Sequence, residues 1–557
     1  MINVHEKRLY GIYYTPRPLS EMLCAWAVRS PHDLVFEPSF GGCVFIESIL
    51  SAFRKLNCPK PQENIYGCDT DESAFRYLDS AISNFNTDHF IRDDFLRLHP
   101  GNFRKTGFDI LIGNPPYVSL HNMPCAQKQT ASLVQNCHGI VVDRRASLWA
   151  YFLVHGLSFL NEGGRLCFVL PGSLIQTDYG KKLLHQLSAH FAKIAVLSIA
   201  ERYFKRVGAD ESTEILLCEG WKKGEAKKGI EVASVTDTNA CRERIANWQK
   251  GAWTGFQLNG QAASHLINSE GDKILKAWAK RSFGKRLSSF VTIRIGVVTG
   301  ANKFFILSQK SAKDHELPGK ALKFILTKAK FSKGLFLTTS DSRRTKSQGQ
   351  KCLLINTLKA SKDKNILKYL DAFPKTKIKN NKTFSKQKVW HQPILGKIPD
   401  GFLTYMNHHS PRLFLNEISA NSTNTIHRIY FNKDVSYLNK LLVVISFNST
   451  LSQLSAELEG RVYGSGVLKH EPSEAKNILI IIPKKAKLGE ARDAARRIDI
   501  ALRNNLNDTA TTIADDYLKK AIPTIWTAKK LLRLRAALAA ARKRRYPKPQ
   551  FLNCQSV

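Results

Sequence analysis

The chain has 557 residues, 43% hydrophobic and 23% charged, enough apolar material for two to four packed domains and too much for a disordered protein. Its 11 cysteines form no C-x-x-C pair and no regular spacing, which excludes a disulfide scaffold and a zinc ribbon and points to a reducing, cytoplasmic setting without a membrane partner. Lys and Arg total 84 against 46 Asp and Glu, a net charge of +38; residues 1–220 hold 22 of each, so the other 62 and 24 lie in 221–557 and carry the whole excess. A neutral part joined to one with a large positive field predicts that the second part meets a polyanion, where each neutralised phosphate releases counterions; a solubilising surface is the duller alternative.

In chain order, an apolar strand at 33–37 turns through Pro38, Ser39, Phe40, Gly41 and Gly42 into a helical pattern ending near Leu56. Further strands are predicted at 64–68, 108–112, 165–170, 194–199 and 215–218, with helices between them, 148–160 the clearest. Strands separated by helix-length segments require right-handed crossovers, so the fold class is α/β with a mostly parallel, doubly wound sheet whose ligands bind beyond the carboxyl ends of its strands.

Four strand ends carry unusual residues. Glu37, Pro38 and the Gly41-Gly42 pair allow the backbone to come close to a ligand. Asp69, in Gly67-Cys68-Asp69-Thr70-Asp71, is placed to accept both hydroxyls of a ribose, while Asp71 reads equally as a helix cap. In Asp93-Asp94-Phe95, a carboxylate beside a ring could bond an adenine amine and cover its face; a surface loop is the alternative. The sharpest signal is the strand that runs into Asn114-Pro115-Pro116-Tyr117. Two prolines stiffen that bend, and the Asn114 amide oxygen with the Pro115 carbonyl can accept both hydrogens of one planar exocyclic amine while Tyr117 stacks on its ring. Accepting both hydrogens aims the nitrogen lone pair at an electrophile, as methylation of a poor nucleophile requires.

Together these residues resemble the gamma class of adenine-specific DNA methyltransferases, which use S-adenosylmethionine and carry such motifs ahead of a target-recognition domain. The family's leading motif resembles Tyr13-Tyr14-Thr15-Pro16, and its cofactor turn matches Glu37 to Phe45 except that Cys43 stands where a second glycine belongs. The resemblance implies that Tyr14, Thr15 and Pro16 close over the methionine end of the cofactor. It further implies that Asp69 holds the ribose, that Thr70 flanks the cofactor adenine, and that Asp94 and Phe95 bond and cover it. Asn114 to Tyr117 act on the target base, and Phe204, in Glu201-Arg202-Tyr203-Phe204, supplies the other wall of its pocket. No metal is required.

The resemblance continues less specifically through Gly296 to Phe305, Pro399-Asp400-Gly401-Phe402, Asn416, Asn424, His427 and Glu459 to Val467, with Arg294 and Arg428 as guesses for base readout. The implied order is a Rossmann-like catalytic domain at 1–225, a basic α+β recognition domain at 226–485 and a basic helical segment at 486–557, ending in Lys529 to Arg535 and Arg542 to Arg545. The expected activity is methylation of adenine N6 in double-stranded DNA, by a monomer reading an asymmetric site, as the modification half of a restriction-modification pair. Pro399-Asp400 and Glu474-Ala475-Lys476 lie too far apart for a nuclease centre, so any companion endonuclease is encoded separately. The alternatives are an RNA base-amine methyltransferase and a DNA-binding module on an inactive scaffold, should Cys43 prevent cofactor binding. Protein-glutamine and cytosine-amine methylation fit the charge and Asn114 less well.

Overall fold

The computed structural model describes residues 15–82, 85–120, 122–199, 213–222, 229–235, 237–252, 256–257, 269–357, 362–462 and 466–545. Two compact units are present, one of Met1–Ile267 with Val462–Gly466 and Arg544–Val557, the other of Asn268–Arg461 with Val467–Lys543.

The first unit is built on a nine-stranded sheet. Its strands are β1 (Val35–Glu37), β2 (Ile65–Cys68), β3 (Phe90–Ile91), β4 (Phe108–Gly113), β5 (Leu160–Pro171), β6 (Phe191–Ile199), β7 (Thr213–Trp221), β8 (Ile230–Val235) and β9 (Phe256–Gln257), in the spatial order β9-β8-β6-β7-β5-β4-β1-β2-β3. Most neighbours are parallel; β7 runs antiparallel between β5 and β6, and β9 antiparallel to β8. The side chains alternate as a sheet covered on both faces demands. Phe36, Leu111, Phe168 and Val196 enter one core, and Val35, Ile110, Val169 and Leu197 the other. Helix α1 (Arg17–Ala27) precedes β1, and α2 (Val44–Lys55), α3 (Glu72–Ala81), α4 (Leu148–Gly156), α5 (Asp178–Leu187) and α6 (Thr238–Gln249) lie between the strands that follow. Because β1 leads outward to β2 and β3 while β4 returns to its other side, the strand order reverses between β1 and β4, where Phe36 pairs with Leu111. That reversal opens a crevice beyond the strand ends.

The second unit is α+β. A five-stranded sheet of β10 (Val291–Arg294), β11 (Phe336–Leu337), β12 (Gly401–Thr404), β13 (Leu413–Asn416) and β14 (Ile426–Phe431) has the order β10-β14-β12-β13-β11. Beside it lie α7 (Tyr437–Phe447), α8 (Thr450–Glu459), α9 (Leu488–Arg503), α10 (Asn507–Ala521) and α11 (Ala528–Arg545), so the helical reading of 489–545 resolves into three helices. Residues with a resemblance to recognition-domain motifs brace this unit. Asn416 spans the carbonyls of Pro399 and Ala420 at 2.8 and 2.9 Å, and Asp400 accepts from the Phe431 amide and the Lys440 ammonium. His427 is fully buried with Nε2 2.7 Å from the His470 carbonyl, and burial lowers its pKa. No single helix among the described residues is long and apolar enough to cross a membrane.

Candidate active site

The crevice at the strand reversal is a cavity of about 450 Å³. Glu37, Gly41, Asp69, Asp94, Asn114 and Pro116 all open on it, so the four strand ends singled out in the sequence share one space. Five carboxylates line it, Glu37, Asp69, Asp71, Asp93 and Asp94, and none of the described lining residues is Lys or Arg. Such a lining disfavours the pyrophosphate of a dinucleotide and suits a cationic ligand.

The glycine turn is held from the second strand. The Asp69 carboxylate accepts the Gly41 amide at 2.9 Å and the Asp71 amide at 2.8 Å, one on each oxygen, and burial raises its pKa against those hydrogen bonds. Gly41 sits at φ +47, where its missing side chain avoids strain, and no atom lies within 4 Å of where a Cβ would stand. Gly67 is required for another reason, since a Cβ there would meet the Glu37 carbonyl at 2.8 Å. Glu37 is only 2% exposed and its Oε2 has no hydrogen-bond partner among the described residues. Burial first and Asp69 second push its carboxyl well above the ordinary value.

Cys43 has φ 60 and ψ 16, so the backbone takes the left-handed turn despite the side chain. The thiol points away from the cavity into the core beneath α2, 3.8 Å from the Ala74 carbonyl, and burial raises its pKa. The departure from the glycine pattern therefore leaves the ligand space clear.

Two family models match the chain: Eco57I restriction-modification methylase over residues 49–198, and the C-terminal domain of Type II methyltransferase M.Eco57I over residues 259–518. Type II methyltransferase M.AccI of Acinetobacter calcoaceticus is 22% identical over 479 residues, 85% of each chain. M.XamI of Xanthomonas campestris pv. amaranthicola is 23% identical over 494 residues, 86% of each. The chain belongs to the restriction-modification DNA methyltransferases. Among solved structures, the type IIL restriction-modification enzyme MmeI in complex with DNA superposes with a TM-score of 0.56 at 12% identity, covering 95% of this chain and 75% of that one, a likeness of fold.

This methyltransferase has the gamma type of motif order, and its cofactor is S-adenosylmethionine. The cavity fits that cofactor chemically, because its carboxylates would meet a sulfonium and an ammonium and the orphaned Glu37 oxygen would gain a donor. Of the residues predicted for cofactor binding, Thr15, Glu37, Pro38, Gly41, Asp69, Thr70, Asp94 and Phe95 all line the cavity. Pro16 does not; its carbonyl accepts the Leu19 and Ser20 amides at the start of α1. Tyr14 and Phe204 lie outside the described residues. Asp94 doubles as the cap of a short turn by accepting the Leu96 amide at 3.1 Å, and Phe95 is buried among Phe36, Phe152 and Phe159, so only part of its ring faces the cavity.

At the bend, Asn114 and Pro116 line the cavity while Pro115 is buried behind them. Ser39 of the glycine turn reaches the Asn114 carbonyl at 3.5 Å. Tyr117 is half-buried and outside the lining; its hydroxyl donates to the Val169 carbonyl on β5 at 3.0 Å. Sequence reasoning missed Tyr77, Leu148 and Phe152, which complete the wall from α3 and α4. The strongly apolar start of α4 was visible, but its facing was not. In the second unit Arg428 donates to the carbonyl of Ile295 at 3.0 Å, to that of Leu395 and to Asn421 Oδ1, and so braces loops, whereas Arg294 is exposed over the Tyr430 ring.

Proposed function

We propose that this methyltransferase modifies the exocyclic N6 amine of an adenine turned out of double-stranded DNA. The observation that carries this reading is that the Asn114–Pro116 bend and the Gly41 turn open on one cavity. S-adenosylmethionine supplies, when bound, an electrophilic methyl group on sulfur. Asp69 takes the ribose hydroxyls, Glu37 takes the ammonium, and Asp94 and Thr70 serve the cofactor adenine. The Asn114 amide oxygen and the Pro115 carbonyl accept both hydrogens of the target amine and aim its lone pair, so alignment provides most of the acceleration. A nitrogen–carbon bond forms as the carbon–sulfur bond breaks, and the surplus proton leaves the methylated amine to water. Turning the base out costs a few kcal/mol, offset by stacking against Tyr117 and Phe204 and by the basic part of the chain on phosphates. Residues 1–225 carry the chemistry, 226–485 the recognition of DNA, and 486–557 a basic helical end; a monomer of this chain is the modification component of a restriction-modification system.

The test is to modify plasmid DNA with labelled cofactor, map the bases and compare wild type with Asn114→Ala. Label on adenine N6, reduced at least a hundredfold in the variant, is expected. Label on cytosine, label on RNA alone, or transfer undiminished by the substitution would overturn the reading.

A further inference from the structure

The second unit holds a cavity of about 270 Å³ that methyl transfer does not use. Lys330, Lys333 and Arg412 line it, and no carboxylate does. Arg412 is a cation in an unusual position. Its guanidinium donates to the Lys333 and Ala329 carbonyls at 2.9 and 2.7 Å and lies over the Phe414 ring, yet no carboxylate among the described residues pairs with it. Burial lowers its pKa to about 10. A desolvated guanidinium whose hydrogen bonds go to carbonyls, with the charge of Asp341 acting on it but not paired to it, stands to gain from an anion.

Two further side chains in the lining each carry a buried oxygen without a hydrogen-bond partner among the described residues. Ser332 is 0% exposed and, among the described residues, its hydroxyl has no hydrogen-bond partner, nor has Oε1 of Gln453, which is 4% exposed. The Gln453 amide nitrogen donates to the Phe447 carbonyl at 2.7 Å, which leaves the oxygen as the unmatched acceptor. The site thus offers a buried hydroxyl and three cations to an oxyanion, and one buried acceptor to a neighbouring donor. Its volume exceeds that of a lone tetrahedral anion and approaches the lower end of small-molecule pockets, about 300 Å³.

We infer that this cavity seats the phosphate of a nucleotide unit, with Ser332, Lys330, Lys333 and Arg412 on the oxyanion and Gln453 on an adjoining base or sugar donor. The same chemistry is offered by a strand of DNA and by a free mononucleotide. The inference concerns a different unit from the methyl-transfer cavity and stands whichever base is methylated.

The experiment uses the full chain, as wild type, as Ser332→Ala and as a Lys330→Ala/Lys333→Ala double variant. Thymidine monophosphate, inorganic sulfate and a duplex oligonucleotide are titrated calorimetrically at fixed ionic strength. If the source is a free nucleotide, thymidine monophosphate saturates the wild type, binds at least tenfold more weakly to both variants, and leaves duplex affinity unchanged. If the source is DNA, the monophosphate competes with duplex, and the double variant lowers the slope of log affinity against log salt by about two. Either result supports the site. Monophosphate binding that the substitutions leave unchanged, no binding at all alongside wild-type duplex affinity in the variants, or sulfate binding as tightly as the nucleotide would overturn it. Should Ser332→Ala fail to fold, the exposed lysine pair carries the test.

Discussion

Asp69→Asn offers a sharp measure of how the cofactor turn is held. The native carboxylate receives the Gly41 amide on one oxygen and the Asp71 amide on the other, at 2.9 and 2.8 Å. An asparagine keeps one acceptor oxygen and turns an NH2 toward the other amide, so one bond is lost and a donor faces a donor. A hydrogen bond to a charged group contributes about 1.5–3 kcal/mol. If that loss falls on the bound state, affinity for S-adenosylmethionine drops by roughly tenfold to more than a hundredfold, at 1.4 kcal/mol per tenfold. Calorimetric titration of the folded variant with the cofactor reads this directly, and thermal unfolding without cofactor separates turn stability from ligand contact. Cofactor affinity within twofold of wild type would refute the assignment of Asp69 to the ligand.

Glu37 gives a prediction with a pH sign. Its folded pKa lies above its ordinary value of 4.5, so its contribution to stability is fully present below about pH 4.5 and is lost as pH rises through the folded value. Glu37→Gln should flatten that loss in denaturant unfolding measured from pH 4 to 8, and should weaken cofactor binding about tenfold. Cys43→Gly should leave cofactor affinity within threefold, because the thiol faces the core. Cys43→Val should destabilise the fold by about 2 kcal/mol, since a β-branched residue is forced into the left-handed region; chemical unfolding checks it. Arg428→Ala should destabilise the second unit by about 3 kcal/mol by stripping loop carbonyls of a charged donor. Arg294→Ala should leave stability unchanged, and unfolding of the two variants side by side would expose the reverse order.

The candidate site was legible because its residues sit at strand ends, where a short apolar run followed by glycine, carboxylate or proline is a local pattern. Glu37, Asp69, Asp94 and Asn114 could be read one by one, and the reversal of strand order brings them to one cavity. Less legible were contacts between residues far apart in the chain. Tyr117 finds its hydroxyl partner 52 residues away at Val169, and Arg428 finds Ile295 133 residues away. Neither partner is a side chain, so no residue type marks it. The direction of β7 was hidden for a related reason, since an apolar run has the same composition read either way, and only its pairing with β5 and β6 reveals the reversal. Phe95 was visible as an aromatic beside a carboxylate, but the cluster of Phe36, Phe152 and Phe159 that takes up much of its ring comes from three other elements.

The parallel pairing of Val35 with Ile110 and Phe36 with Leu111 carries a consequence for how such enzymes diversify. In the proposed reaction, the loop that holds the methyl donor and the loop that holds the acceptor follow neighbouring strands of one sheet, about 4.8 Å apart. Neighbouring hydrogen-bonded strands keep their register, so the spacing of the two loop origins is set by the backbone. Sequence drift elsewhere in the chain can retune which DNA is gripped while the spacing of the chemistry stays put.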